Sequence, residues 1–430
     1  MVVADLRRRG AAVRRIGVAI IGAGLRGVYN LGTLIAERQA ELGLDVVALS
    51  EPFAARAREA KEYLEGCYRR AGAPRSIAVY EDLEPCLAHP EVELVLVTTQ
   101  SHQHRDPAIA ALGAGRRVYL DKPLAHDLAD CRAIVGAEAH AASPLLLGFT
   151  RRYESAWRRA RGIVADGAIG AVHMLLLRAV IPYHVYFHGW HRERRYSGDA
   201  LNDKSSHHVD ALSWFAGADP ERVAAFGGRR VFVADANAPL RCSECERACP
   251  YRVGHDLREG GRQDVLRTDS QLSWLGGDDV LTQRDRCVFQ PGADILDHAV
   301  LNLRFANGVV AQIFYSLFGF DTDDQETLEI VGTSGRLRLV RHTGRLEIAR
   351  DHGRSEEVID ARDEHHAMVH FGADARLVIE LRAFADGAAP VVGSREGFHA
   401  SATVFAALDS IAADGAVKVV PAIGGALQEH

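Results

Sequence analysis

The sequence has no apolar run as long as the roughly 18 to 20 residues that a membrane helix needs. It also lacks an excess of positive charge, because 51 Lys and Arg are set against 57 Asp and Glu, a formal net charge of -6. A nucleic-acid binder needs a concentrated basic face to displace counterions from phosphates. We therefore expect neither a membrane nor a nucleic-acid partner, and the composition favours chemistry on a small molecule.

Low complexity and internal repeats are absent as well. The 430 residues are 47% hydrophobic and 25% charged, with 40 Gly and 14 Pro, which is typical of folded globular domains. At about 150 residues per domain, this length predicts two or three domains. The basic start of the chain has no apolar core and cleavage site of a secretory signal, so residues 1–15 are expected to form a flexible leader.

Cysteine is scarce and unevenly placed. Of seven cysteines, Cys67, Cys86 and Cys131 are scattered through helix-like segments, whereas the other four fall in one region. Scattered, unpaired thiols are typical of proteins from reducing compartments. The usage therefore favours a cytoplasmic location.

Residues 16–149 alternate short apolar runs with helical stretches, as a parallel sheet covered on both faces requires. This pattern predicts an α/β Rossmann domain, a doubly wound parallel sheet with its ligand crevice at the carboxyl ends of the strands. Residues 150–430 instead show period-two alternation, which predicts an α+β domain with a large open, mainly antiparallel sheet. A polar stretch at about 237–292 is interpreted as an insertion or lid. The predicted strands of the first domain are 17–21, 45–49, 94–98, 117–120 and 145–148.

A glycine-rich turn follows the first predicted strand. Its residues are Gly22, Ala23, Gly24, Leu25, Arg26 and Gly27. The three glycines suit a tight turn, close approach to a pyrophosphate, and tight packing of helix on strand. Glu51, at the end of the second strand, is placed to accept hydrogen bonds from ribose hydroxyls, which favours NAD over NADP. A solvated helix cap is the other reading of Glu51, and Arg26 and Arg56 are able to offset its repulsion of a 2'-phosphate.

Lysine is rare beside arginine, since the chain contains only Lys61, Lys122, Lys204 and Lys418. Lysine can lose a proton where arginine cannot. Lys122 precedes Pro123 at the carboxyl end of a predicted strand, which places it over the crevice. Lys204 lies beside Asp203, just before a helix expected to begin near Ser205 or Ser206. It is interpreted either as a catalytic group or as a salt-bridged charge at the helix start.

Together these motifs resemble the glucose-fructose oxidoreductase, inositol dehydrogenase and MocA (Gfo/Idh/MocA) family, over residues 16 to about 421. The resemblance rests on their order and spacing: Gly22 to Gly27, Thr99, His104, Asp121-Lys122-Pro123, Asp203, His207 and Asp210. Asp121 stands where the family usually has Glu, and Ser205 where it usually has Gly. The resemblance implies a Rossmann domain followed by an open mixed sheet, with NAD(P) between them and a sugar, cyclitol or related polyol as substrate. The cofactor-binding residues it implies are Gly22 to Gly27, Glu51, Thr99, His104, Asp121 and Lys122.

The same resemblance implies a mechanism. His207 takes the hydroxyl proton as general base, and Lys122 stabilises the developing alkoxide while Asp203 orients the groups. Lys204 is a further catalytic candidate, and its presence indicates a subgroup. His208 is interpreted as a packing residue, while the region of His184, His188, Trp190 and His191 is expected to shape a sugar site or to form a polar loop.

The remaining cysteines are Cys242, Cys245, Cys249 and Cys287. Four thiolates match tetrahedral zinc, whose binding can order a segment that has no core of its own. An iron-sulfur cluster and unligated or disulfide-linked thiols are the alternatives. Similar cysteine-rich insertions in the subgroup favour structural zinc.

Two functions follow from these residues. The first is an NAD-dependent dehydrogenase acting on CH-OH groups of a sugar, cyclitol or related polyol. The second is a redox-neutral enzyme that retains NAD and cleaves a glycoside, or eliminates, through transient oxidation; Lys204 supports it because that route needs an extra base. A non-catalytic NAD-binding protein is a third reading. An open sheet with one face to spare predicts a homodimer or homotetramer.

Overall fold

A computed structural model describes residues 14–252, 285–319 and 321–424. By its internal contacts the chain divides into two units. Unit 1 consists of residues 1–153 and 372–398, and unit 2 of residues 154–371 and 399–430. Most of the expected leader, residues 1–13, lies outside the described residues, as does the middle of the expected insertion.

Unit 1 contains a six-stranded sheet in which every pairing is parallel. Its strands, in chain order, are β1 (Ile16–Ile21), β2 (Leu44–Ser50), β3 (Ala78–Tyr80), β4 (Val92–Val97), β5 (Arg117–Leu120) and β6 (Leu145–Leu147). The spatial order β3-β2-β1-β4-β5-β6 is doubly wound. The predicted Rossmann sheet is therefore confirmed, with β3 as an added strand. The sequence pattern missed β3 because it is three residues long and only partly buried.

Helices accompany this sheet, and part of them, the segments within residues 25–42, 54–70 and 373–385, form one apolar core with it. They are α1 (Thr33–Glu37), α2 (Gln39–Leu42), α3 (Ala54–Arg70), α4 (Leu83–Leu87), α5 (Arg105–Gly113), α6 (Leu128–Glu138) and α10 (Ala373–Ala385), with a π-helical stretch at Leu25–Gly32 before α1. Helix α10 follows the second domain in sequence, yet its residues Leu377, Leu381 and Phe384 belong to the core of unit 1. Residues 372–398 thus differ from the sequence-based division, because apolar periodicity identifies a helix but not the core on which it packs.

Unit 2 contains a nine-stranded mixed sheet in which only β7 and β10 pair in parallel. Its strands are β7 (Val172–Val180), β8 (Pro220–Gly228), β9 (His298–Phe305), β10 (Val310–Ser316), β11 (Glu326–Gly332), β12 (Arg336–Val340), β13 (Arg345–Arg350), β14 (Ser355–Asp360) and β15 (Lys418–Val419). The spatial order is β14-β13-β12-β11-β7-β10-β9-β8-β15. The predicted open, mainly antiparallel sheet is confirmed.

In the described part of unit 2 the helices are α7 (Ser155–Ala165), α8 (Arg194–Ser197) and α9 (Ala200–Ala216), and α11 (Ser394–Ala412) contains residues of both units. Short 3-10 turns occur at Ser101–Gln103, Thr150–Arg152, His184–Phe187, Trp190–Arg192, Cys242–Glu244, Asp351–Gly353 and Val369–Gly372. Helix α9 packs on β7 and β10, and the Tyr315 hydroxyl of β10 donates to the Ala200 carbonyl at 3.2 Å. In the described part of the chain, each helix is too short or too polar to cross a bilayer.

Gly27 and Gly24 differ sharply in the space around them. A Cβ on Gly27 would collide with the Thr98 hydroxyl and lie 2.7 Å from Ile20 Cγ2, whereas a Cβ on Gly24 would meet nothing within 4 Å. We expect Gly27→Ala to lower the free energy of unfolding by about 1–3 kcal/mol through overpacking, measured by denaturant unfolding. Gly24→Ala is the matched control and should leave stability nearly unchanged. Equal losses for the two variants would contradict this account of the turn.

Candidate active site

The glycine-rich turn lies between the carboxyl ends of β1 and β4. Gly22 has a φ of +87°, a conformation that L side chains rarely adopt, and the Thr98 hydroxyl donates to its carbonyl at 2.9 Å. Open space at Gly24 leaves the backbone accessible to a ligand. These features fit a turn that approaches a pyrophosphate.

Glu51 lies at the end of β2 and reaches this turn. Its side chain accepts hydrogen bonds from the Ala23 N–H at 3.1 Å and from the Phe53 N–H at 3.1 Å. The residue is 3% exposed, and Arg56 Nη1 lies 3.3 Å from Oε2. Glu51 is therefore a buried carboxylate beside the turn rather than a solvated helix cap.

Arg26 points into unit 1 and is held by acidic partners. Its guanidinium pairs with the Asp374 carboxylate of α10 and lies 3.2 Å from Asp121 Oδ1. The Tyr119 hydroxyl accepts from Arg26 Nη2 at 3.1 Å and donates to Asp121 at 2.9 Å. Arg26 is thus engaged inside the domain and does not offset the charge of Glu51.

His104 joins two loops at the carboxyl edge of the sheet. Its Nδ1 lies 2.9 Å from the Pro123 carbonyl oxygen, and its Nε2 lies 3.2 Å from the Thr99 carbonyl oxygen. Burial lowers the pKa of this imidazole below its ordinary value. The His104 ring thus lies between the loop of Lys122 and Pro123, which are joined by a cis peptide bond, and the loop of Thr99. A neutral imidazole has one N–H, so it donates to one of these two carbonyls at a time.

In unit 2, polar residues are buried along the first turns of α9. Helix α9 begins at Ala200, so the predicted start near Ser205 or Ser206 was wrong. The pattern misled because Asn202, Asp203 and Lys204 are polar residues inside the helix. The N-cap is Asp199, which accepts from the Leu201 N–H at 2.8 Å. The exposed fractions of Asp203, Lys204 and His207 are only 3%, 5% and 4%. Residues three and four apart lie on one helix face, so these three side chains share a side of α9.

Two tyrosines from the loop after β7 contact this face. The Tyr186 hydroxyl donates to Asp203 Oδ2 at 2.6 Å, and Lys204 Nζ donates to the Tyr183 hydroxyl at 3.1 Å. Burial and the neighbouring Asp203 carboxylate raise the pKa of Tyr186 well above its ordinary value, so it remains a proton donor. Neither tyrosine was singled out from the sequence, although the Tyr- and His-rich texture of this loop was a signal.

The histidines near this loop separate into two groups. His191 Nε2 lies 4.0 Å from Asp203 Oδ1, and its ring stacks on Trp190 with ring centroids 3.7 Å apart. His184 and His188 contact each other and face the cysteine-rich segment instead: His188 Nε2 lies 2.9 Å from the Tyr251 carbonyl oxygen. Only His191 and Trp190 therefore lie beside the Asp203 cluster.

His208 belongs to a different buried network. Its Nδ1 lies 3.3 Å from the Ser205 hydroxyl, and its Nε2 lies 3.8 Å from Glu326. Glu326 and Glu154 both pair with Arg341, at 3.1 and 2.7 Å. This network ties α9 to the sheet, in agreement with a packing role for His208.

The cysteine-rich segment is anchored where its two ends meet. Arg241 and Arg286 form an isolated antiparallel bridge, and the Cys287 N–H donates to the Leu240 carbonyl at 3.0 Å. Cys242 and Cys287 are both 7% exposed, and Cys242 Sγ lies 3.9 Å from His188 Nδ1. Across the described ranges, however, the only three His, Cys, Asp or Glu residues with ligand atoms within 4.8 Å of one another are His126, Asp127 and Asp130. The four thiols are thus near one another in the fold without forming a closed tetrahedral set.

The two units have the architecture of a nucleotide-binding α/β domain and an α+β domain with a polar, buried helix start. The chain belongs to the Gfo/Idh/MocA oxidoreductase family: residues 16–149 match its NAD-binding Rossmann fold, and residues 161–419 match its C-terminal alpha/beta domain. The resemblance predicted from the motifs is confirmed.

Individual proteins that are similar to this chain share 18% to 33% of the aligned residues with it. The Bacillus subtilis protein YteT is 28% identical over 294 residues, covering 61% of this chain and 67% of YteT. Inositol 2-dehydrogenase of Pseudomonas fluorescens is 33% identical over 177 residues, covering 40% of this chain and 48% of that enzyme. A solved levoglucosan dehydrogenase in complex with NADH and L-sorbose has a TM-score of 0.70 at 18% identity, covering 95% of this chain and 100% of its own, which shows a shared fold. The alignments thus span about half to two thirds of these curated relatives.

The burial of His184 predicts an acid-sensitive unit 2. Burial lowers the pKa of His184 from 6.5 to about 4, so the stability that its neutral form provides is complete above pH 6.5 and is lost as the pH falls toward 4. Between pH 7 and pH 5 this corresponds to about 2 kcal/mol. We expect His184→Gln to make the free energy of unfolding less dependent on pH in this window, measured by urea unfolding. His140→Gln, at an exposed site, is the control, and an unchanged pH slope in His184→Gln would contradict the assignment.

Proposed function

We propose that the protein transfers hydride between a secondary hydroxyl of a sugar, cyclitol or related polyol and NAD. The observation that carries the proposal is the burial of Asp203, Lys204 and His207 on one side of α9, in a chain of an NAD-binding oxidoreductase family. Buried ionisable groups gathered on one helix face are typical of catalytic sites. The inositol 2-dehydrogenases among the relatives and the levoglucosan dehydrogenase among the structures support a polyol substrate.

NAD is the proposed cofactor, with NADP less favoured. The residues that would hold it are Gly22, Ala23, Gly24, Leu25, Arg26, Gly27, Glu51, Thr99, His104, Asp121 and Lys122. The Glu51 carboxylate beside the turn suits ribose hydroxyls and repels a 2'-phosphate. Of the two arginines able to offset this repulsion, Arg26 is paired with Asp374 and Asp121. Arg56 pairs with Glu51 itself, which leaves NADP less favoured rather than excluded.

Each proposed catalytic residue has a distinct role. His207 accepts the proton of the substrate hydroxyl, and Lys122 donates a hydrogen bond to the hydroxyl oxygen as negative charge develops on it. Asp203, held by the Tyr186 hydroxyl, orients the polar groups around His207. The bound nicotinamide supplies the redox chemistry.

The redox-neutral alternative depends on Lys204 as an extra base. Its Nζ donates to the Tyr183 hydroxyl, and the residue is 5% exposed. A buried ammonium engaged with a phenol is poorly placed to remove a proton from substrate carbon. The dehydrogenase is therefore the favoured function.

A substrate screen tests the proposal. Purified protein is mixed with NAD and a panel of cyclitols, free sugars and glycosides, and NADH is followed by its near-ultraviolet absorbance. We expect net NADH formation with at least one free polyol, and a loss of about 100-fold or more in kcat for Lys122→Ala and for His207→Ala. Lys61→Ala, at a partly exposed site on α3, is the control. Glycoside turnover without net NADH would indicate the redox-neutral function, and failure to bind NAD in equilibrium dialysis would refute both functions.

We also propose a structural zinc ion held by Cys242, Cys245, Cys249 and Cys287. The bridge between Arg241 and Arg286 brings the two ends of the segment together, and zinc binding is able to draw thiolates into a tetrahedral set. None of the seven cysteines is paired in a disulfide, which supports the proposed cytoplasmic location.

Elemental analysis tests the zinc assignment. We expect about one zinc per chain in the purified protein and loss of zinc in Cys242→Ser. Cys131→Ser removes a buried thiol of unit 1 and should keep the metal. Substoichiometric zinc in the unaltered protein, or iron in its place, would refute the assignment.

We propose that the open face of the nine-stranded sheet binds a second copy of the chain, giving a homodimer or homotetramer. Large apolar side chains point outward from neighbouring strands on this face: Met174, Leu176, Val310, Phe314 and Val331 are each 38% to 55% exposed. Three charged residues lie beside these apolar side chains on the same face of the sheet: Arg222, Arg304 and Glu329. Apolar area with charges of both signs at its border suits a self-complementary two-fold contact.

Sedimentation velocity tests the self-association. We expect the unaltered chain to sediment as a dimer or tetramer. The double variant Leu176→Glu/Phe314→Glu should sediment as a monomer, because association would bury the negatively charged glutamates of both copies in one interface. Val391→Glu, an exposed apolar position in unit 1, is the control. A monomeric unaltered chain would contradict the proposal.

A further inference from the structure

The Tyr183–Lys204 pair is not accounted for by the roles given above. Lys204 Nζ lies 3.1 Å from the Tyr183 hydroxyl oxygen and 4.4 Å from the centroid of its ring. The ammonium therefore lies over the ring edge and donates to the phenol oxygen, combining a hydrogen bond with a cation-π contact. A single buried lysine thus fixes both the position and the hydrogen-bonding direction of one tyrosine.

The two partners differ in burial. Lys204 is 5% exposed, whereas Tyr183 is partly exposed. The tyrosine is accordingly the member of the pair that a ligand can reach. Because an ammonium has three donors and no acceptor, the Tyr183 oxygen is the acceptor on the side of Lys204, and its own proton is directed away from Lys204.

The pair lies beside the proposed base. Lys204 precedes His207 by three residues on α9, so their side chains lie one helical turn apart, with Cβ atoms about 5–6 Å from each other. The ring centroids of Tyr183 and Tyr186 are 5.5 Å apart, and Tyr186 donates to Asp203. Tyr183 is therefore part of the same polar cluster as Asp203 and His207.

We propose that Tyr183 donates a hydrogen bond to an oxygen of the polyol substrate and that Lys204 is a positioning residue that acts through Tyr183. This inference rests on the proposed function. It assigns a substrate contact to a tyrosine outside the family motif, and it explains why a lysine occupies position 204 without serving as a base.

A double-mutant cycle tests the proposal. We expect Tyr183→Phe to lower kcat/KM for the polyol found in the screen by about 10- to 100-fold, the loss of one hydrogen bond to a polar group. Lys204→Met should give a similar loss, and the double variant should be no worse than the poorer single variant. Lys204→Arg keeps a donor for Tyr183 but cannot act as a base, so it should retain most activity. Tyr80→Phe and Lys61→Met are controls outside the cluster.

Two results would overturn the proposal. Losses that multiply in the double variant would show that Lys204 acts independently of Tyr183. Unchanged kcat/KM in Tyr183→Phe would show that the phenol does not contact substrate. Melting curves and NADH binding, followed by fluorescence, identify variants that fail to fold. If Lys204→Met is one of these, Lys204→Ala, which also lacks a donor for Tyr183, replaces it in the cycle, both alone and combined with Tyr183→Phe.

A substrate-independent measurement separates this inference from the function on which it rests. With 13C-labelled tyrosine ζ-carbons, the Tyr183 signal is identified by its loss in Tyr183→Phe. We expect this signal to shift in Lys204→Met. An unchanged signal would refute the action of Lys204 on Tyr183, whether or not a polyol is turned over, whereas absence of turnover in the unaltered protein with a shifted signal would refute the proposed function alone.

Discussion

The burial of charge at the start of α9 is the constraint on which the structure of unit 2 depends. Asp203 and Lys204 are nearly inaccessible to water, and burying an ion costs several kcal/mol unless hydrogen bonds compensate for it. One loop contributes to this compensation, because Tyr186 donates to Asp203 and Tyr183 accepts from Lys204. The loop and the helix are therefore a single polar unit, and neither can be altered without affecting the other.

The backbone just before α9 is strained as well. Asp199 caps the helix with a φ of 90°, which is rare for a residue with a side chain. Burial raises the pKa of its carboxyl to about 6, although Arg194 partly offsets the effect. Asp199 is buried, and the two helical turns that follow it are buried as well. Strain of this kind tends to cluster at functional sites.

Unit 1 also contains a buried charge, and its partner is distant in the sequence. Arg26 lies in the glycine-rich turn, and its carboxylate partner Asp374 is 348 residues further along the chain. Helix α10 thereby ties the turn to the core of the domain. The result is a turn whose arginine is held inward and whose Ala23 N–H donates to the Glu51 carboxylate.

Local patterns were enough to predict five of the six Rossmann strands and the glycine-rich turn, because each depends on a few neighbouring residues. Distant partners were not predictable. Nothing near Lys204 indicates Tyr183, 21 residues earlier, and nothing near Arg26 indicates Asp374. The boundary of α9 was misjudged because buried polar residues resemble exposed ones in sequence, and residues 372–398 were counted with the second domain because periodicity does not show on which core a helix packs.

Hydride transfer from the polyol carbon to NAD can be followed with an isotope label. A polyol substrate carrying deuterium on the reacting carbon is incubated with the protein and NAD, and the nucleotide is analysed by mass spectrometry. We expect the reduced nucleotide to be one mass unit heavier than ordinary NADH and to form at the same rate as deuterium is lost from the polyol. Deuterium that stays on the sugar, or passes to water without reduced nucleotide, would contradict this hydride transfer.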